Sequence, residues 1–150
     1  LSVVSIESPF QRNFPMSVWI VPTLENDDAE IDSLLKDSQF WGESTAECLG
    51  LLDKTANDLN LTPFSSFVDA SMIMCDEEGE PLDDYEPGDF MDSTEVLRSV
   101  QGVLPAIAIM NETEFPEMEY KQHLLENWAA LVPIIKLASE KKIRILLQLG

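Results

Sequence analysis

Apolar and polar positions alternate along this chain with two different periods. Residues Ser17 to Val21 alternate in a β-rich run that Pro22 ends, which predicts a short strand. The stretch "NDDAEIDSLLKDSQFW" then turns to helical spacing. Asp27 and Glu30 form a capping box, and Ile31, Leu34 and Leu35 share a face. "STAECLGLLDKTANDLNL" repeats the pattern, with Ser44 and Glu47 as its box and Leu49, Leu52, Ala56 and Leu59 at helical intervals. Gly50 costs this helix roughly 1 kcal/mol relative to alanine, and Pro63 closes the unit. "FSSFVDASMIMC" predicts a turn around Phe64 to Phe67 and then a short extended piece.

Residues Cys75 to Asp92 break periodicity altogether, with Gly79, Pro81, Pro87 and Gly88 as breakers. Asp92 and Glu95 form a third box, ahead of a face made by Val96, Leu97, Val100, Val103 and Leu104. Glu117 to Ser139 is the longest periodic segment, its stripe made by Leu124, Leu125, Trp128, Leu131, Val132 and Ile135. Pro133 removes a backbone donor there, so a kink or a split is expected. After Lys141 and Lys142, "IRILLQL" has the continuous apolar character of a buried strand. These elements predict an α+β domain, a small mostly antiparallel sheet packed against four to five helices on one face. A single domain over residues 16–150 is expected. Met16 opens the first strand, so residues 1–15 are expected to be an N-terminal extension.

Charge changes the picture more than composition does. The 150 residues hold 28 acids and 9 bases, a formal charge of −19. Glu25 to Glu95 contains 21 acids and only two bases, Lys36 and Lys54, and carries the whole of that −19. Val96 to Gly150 is balanced, with six of each sign. A field of this sign repels nucleic acid and anionic membrane surfaces and attracts a basic partner. Cys48 and Cys75 lie far apart without metal-ligand spacing, as expected of reduced thiols in a cytoplasmic protein, though the spacing leaves one disulfide between them open. No apolar run reaches the length of a membrane span.

Spacing tests exclude several chemistries. A calcium loop of the EF-hand type places acids at positions 1, 3 and 5, glycine at 6 and glutamate at 12. Setting Gly79 at position 6 puts Met74 at position 1; setting Gly88 there puts Pro87 at 5 and Thr94 at 12, so both registers fail. Weak divalent-cation binding by the carboxylates of 76–92 is the alternative that spacing leaves open. Zinc needs several Cys or His ligands, and His123, flanked by Glu119 and Glu126 at turn spacing, is the single histidine. No nucleophile elbow and no phosphate-binding glycine loop occurs. No catalytic, metal or cofactor residue is therefore assigned. A small enzyme, the further alternative, would show itself as a concave pocket that includes His123, Cys48 or Cys75.

Three segments carry a resemblance. "LGLLDKTANDLNLTPFSSFVD", "YEPGDFMDSTEVLRSVQGVL" and "ASEKKIRILLQLG" together resemble the layout of an uncharacterised group of small acidic bacterial proteins. In that group an LDxxAxxLxLxP helix precedes an acidic loop, two helices and a final strand. The resemblance implies a single bacterial cytoplasmic domain and carries over no functional residue. The charge and the aromatic residues lead to a non-enzymatic domain that binds a basic protein, of an inhibitor or immunity type. Its expected surface comprises Trp41, Asp76, Glu77, Glu78, Glu80, Asp83, Asp84, Tyr85, Glu86, Asp89 and Phe90. A nucleic-acid mimic would instead need carboxylates at phosphate-like separations along an elongated face.

Overall fold

The computed structural model describes residues 17–75, 78, 80, 82 and 85–150. The expected extension at 1–15 lies outside the described residues, as do Asp76, Glu77, Asp83 and Asp84 of the expected surface. Three strands form one mixed sheet: β1 (Ile20–Leu24), β2 (Val68–Asp69) and β3 (Ile145–Leu149). Their order is β1-β3-β2, so the strand written last lies in the middle. β1 pairs with β3 antiparallel over five residues, Ile20 opposite Leu149 through Leu24 opposite Ile145. β2 runs parallel to β3, with Val68 opposite Leu147. Four α-helices occur among the described residues: α1 (Ala29–Lys36), α2 (Glu43–Asp58), α3 (Ser93–Ala108) and α4 (Tyr120–Glu140).

The apolar run that marks β3 is buried because strands flank it on both edges. Ile145, Leu147 and Leu149 have no exposed surface. β1 continues through Pro22 rather than stopping before it. The Trp19 and Glu25 backbone N–H groups donate toward β3, to the carbonyls of Gly150 and Arg144. Alternation along the strand therefore aims the nitrogen of Pro22 at the outer edge, where no ladder bond is lost. The predicted turn and extended piece are present as a 3-10 turn at Phe64–Ser66 and as β2.

Two of the three expected helix caps fall one or two residues away from their boxes. Asp28, not Asp27, caps α1 by accepting from the Ile31 N–H. α2 begins after Gly42 without a side-chain cap, which places Ser44 inside the helix. Asp92 caps α3 as expected, through the Thr94 N–H, but Glu95 turns outward to pair with Arg98. Pro133 neither splits nor ends α4, and Pro105 is likewise carried inside α3. Each proline is exposed, and so is the residue four positions earlier, Ala129 or Gln101, so the carbonyl left without its helical donor belongs to a residue on the solvent side of its helix. α3 and α4 pack along each other, burying Val96, Val100, Val103 and Ile107 with Leu124, Trp128, Leu131 and Ile135 in one core.

Candidate functional site

Trp41 is placed by backbone pairing. The Phe40 carbonyl accepts from the Ile20 N–H at 2.7 Å, and the Gly42 N–H donates to the Val18 carbonyl at 2.8 Å. This lays 40–42 along the outer side of β1 and sets Trp41 opposite Trp19, the two rings stacked with centroids 4.2 Å apart. Gly42 is needed for this approach, since a Cβ there would lie 2.9 Å from the Trp19 carbonyl carbon. The Trp41 N–H donates to Asn127 Oδ1 on α4 at 2.9 Å. The indole itself stays 53% exposed.

Beside this ring opens a cleft of about 490 Å³, lined by Trp41, Glu43, Ser44, His123, Glu126 and Asn127. The first turn of α2 supplies Glu43 and Ser44; the first two turns of α4 supply the others. Buried contacts fix the two helix starts to each other. Trp128 Nε1 donates to Thr45 Oγ1 at 2.8 Å, with both residues wholly buried. The Tyr120 hydroxyl donates to Glu43 Oε1 at 3.3 Å. Burial, then the carboxylates of Glu43, Glu47 and Glu117, hold that phenol well above its ordinary range, so it remains a donor.

The cleft is negative and incompletely satisfied. Glu43 and Glu126 each use one carboxylate oxygen, on Tyr120 and on Gln122 Nε2. No lysine or arginine lines it. Ser44 is 2% exposed, and its Oγ has no hydrogen-bond partner. A helical serine ordinarily bonds back to the carbonyl four residues earlier. Here that carbonyl is Phe40's, already taken by Ile20. The cleft includes His123, as the pocket of a small enzyme was expected to, and Ser44, His123 and Glu126 have the residue types of a nucleophile, base and orienting acid. Yet the Ser44 hydroxyl is closed to solvent and unbonded to the imidazole, so the pairing that activates a serine is missing.

The other expected surface residues lie elsewhere. Gly88 and Asp89 bond to the backbone of Val68 and Ser66, and Met91 exchanges two bonds with Ile145, so the end of the acidic segment is laced along the β2 side of the sheet. Trp41 sits at the opposite edge, on β1. Tyr85 is half-buried against the core, its hydroxyl accepting from the Ala70 N–H at 2.5 Å. Phe90 is half-buried, and its carbonyl accepts from Arg144 Nη2. Glu78, Glu80, Glu86 and Asp89 are exposed. The structure thus separates Trp41 from the aromatic residues of the acidic segment and gives it new neighbours, of which the sequence names Ser44 as a cap and His123 with Glu126 at its flank, none of them beside Trp41.

Two further clefts flank the sheet. One, of about 220 Å³, follows the outer edge of β1 between Val21, Pro22, Leu35 and Phe40. The other, of about 320 Å³, lies at the start of α3 beside Lys142 and Arg144. Among the described residues no three His, Cys, Asp or Glu side chains gather as a metal-ligand set. No helix there is long and apolar enough to cross a membrane. The two thiols are not joined: Cys48 is buried, its thiol pushed up to about 12 by burial and then by Glu47, and Cys75 is half-buried. No family model, curated protein or solved structure matches the chain.

Proposed function

We propose that this protein is a non-enzymatic binding domain for a basic protein, of an inhibitor or immunity type, and that the Trp41 cleft is its contact point. The observation that carries this reading is the half-exposed indole of Trp41, stacked on Trp19, beside two carboxylates with no lysine or arginine among the cleft's lining. An aromatic anchor with charge around it is the residue pattern of an interface centre. The exposed acids Glu78, Glu80, Glu86 and Asp89 stand at a distance from it and add long-range attraction, which speeds encounter. A cytoplasmic setting belongs to the same proposal, supported by the unjoined thiols, and the charge disfavours nucleic acid and membrane as partners.

Calorimetric titration with a peptide of alternating lysine, arginine and glycine tests it. Binding at low salt is expected, weakened both by Trp41→Ala and by roughly 0.5 M salt, at which screening shortens to a few ångström. No binding at low salt, or equal binding by Trp41→Ala, would defeat the proposal.

A further inference from the structure

The geometry points to a guanidinium site: the Trp41 cleft takes one arginine side chain of the basic partner, stacked on the indole and forked onto Glu43 and Glu126. The inference rests on the function proposed above and gives the ligand group its chemistry.

Three observations converge on a planar cation with several donors. The indole of Trp41 has Trp19 against it and borders the cleft, so it offers a fixed aromatic surface. A guanidinium stacks on such a surface and is desolvated more readily than an ammonium. Glu43 and Glu126, from two different helices, each keep one carboxylate oxygen without a partner among the described residues. Guanidinium N–H groups spread in a fork match oxygens presented from two directions, whereas an ammonium is a point charge. Ser44 lines the cleft, but its hydroxyl is closed to solvent, so the two carboxylates alone receive the cation's N–H groups. Asn127 does not compete, because its Oδ1 holds the Trp41 N–H and its Nδ2 donates to the His123 carbonyl.

The helix start beneath the site repels a cation, since the first turn of α2 carries partial positive charge. Glu43 sits in that turn and reverses the local sign, and Glu126 adds to it. The donor count then decides for arginine over lysine. One ammonium cannot stack flat on the ring and also reach both carboxylates, while a guanidinium presents its face and its edges at once.

The test uses three peptides identical except for a central arginine, lysine or citrulline, each flanked by the same lysines, titrated into the intact protein. The arginine peptide is expected to bind at least about tenfold tighter than either of the others, a free-energy difference near 1.4 kcal/mol. Glu126→Gln is expected to abolish most of that preference while leaving the weaker lysine binding in place. As a second readout, N-acetylarginine amide should shift the Trp41 indole N–H resonance in the nitrogen–proton NMR spectrum, and N-acetyllysine amide should not. That readout stands if a variant folds poorly. Equal affinity for arginine and lysine peptides, with Trp41→Ala still weakening both, would overturn the guanidinium site and leave the binding function intact. Failure of all three peptides to bind would overturn both.

Discussion

Thr45 and Ser44 are neighbours at the start of α2 whose hydroxyls have opposite fortunes, so removing them should move stability in opposite directions. Thr45 Oγ1 accepts the only hydrogen bond of the fully buried Trp128 indole nitrogen, at 2.8 Å. Thr45→Val keeps the shape and deletes the acceptor, leaving a buried N–H without water or protein partner. That leaves a desolvation cost of about 1–3 kcal/mol. Ser44→Ala removes a buried hydroxyl that has no partner to lose, and it should raise stability by about 1 kcal/mol or leave it unchanged. In a chain of 150 residues each kcal/mol moves the melting midpoint by roughly 2–4 °C. Urea unfolding followed by far-UV circular dichroism is the assay, with the midpoint shifting and the slope unchanged. In a Trp128→Phe background, where the donor is gone, Thr45→Val should cost little, so a double-mutant cycle isolates the bond. The same sign for Thr45→Val and Ser44→Ala, or an undiminished Thr45→Val penalty in the Trp128→Phe background, would refute the reasoning. The same bond fixes the spacing of the two helix starts that line the cleft, so Thr45→Val should also weaken binding of the basic peptide.

Other expectations follow from contacts already described. Gly88→Ala should destabilise by about 1–3 kcal/mol, because its Cβ would meet backbone atoms of Val68 and Ser65 at 2.6 to 2.8 Å, and a thermal melt reads this directly. The Ile31 N–H and then Lys141 hold the Asp28 carboxyl below its ordinary value. A lowered folded-state value contributes stability above the unfolded value near ~3.9 and loses it as pH falls through the folded one. Asp28→Asn, which still caps α1, should therefore unfold more easily than wild type at neutral pH, with the difference vanishing in acid; urea midpoints across that range measure it. A thiol reagent should modify Cys75 in the native protein and reach Cys48 only after unfolding, because Cys48 is buried and its thiol is pushed up to about 12. Equal native rates for the two thiols would contradict that.

What could be read from the sequence divides along physical lines. Continuous apolar runs and long helical stripes mark β3, α3 and α4, because burial on two sides or along one stripe leaves a periodic trace. The caps were less legible. Asp27 and Asp28 are adjacent and chemically equal, and the cap falls to Asp28 because the helix begins at Ala29, which puts the Ile31 N–H within reach of the Asp28 carboxylate. Ser44 resembles a cap, but the backbone pairing of 40–42 with β1 starts the helix at Glu43 and turns Ser44 inward. The consequences of the prolines depend on which side each ring faces, and composition is silent on that. Trp41 stood out as an apolar ring beside a helix. That Glu43, Ser44, Glu126 and Asn127 would gather beside it was not legible, since α2 and α4 meet only through tertiary packing. The run of acids drew attention to 76–92, yet the aromatic residues at its end serve the β2 side of the sheet, with Tyr85 tied to Ala70. The residue that remains open for contact lies on the other edge.

The position of β3 bears on how this protein must be made. Its partners β1 and β2 appear within the first 69 residues of the chain, but the inner ladder of each forms only when residues 145–149 arrive. During synthesis the early helices can form and collapse, while β1, backed on its outer side by 40–42, and β2 wait with open inner ladders for the wedge that joins them. Such a chain folds late and through contacts of long sequence separation, which slows the search and lengthens exposure. The dense negative charge carried by the earlier segment makes unfinished copies repel one another until the last strand slides between the other two.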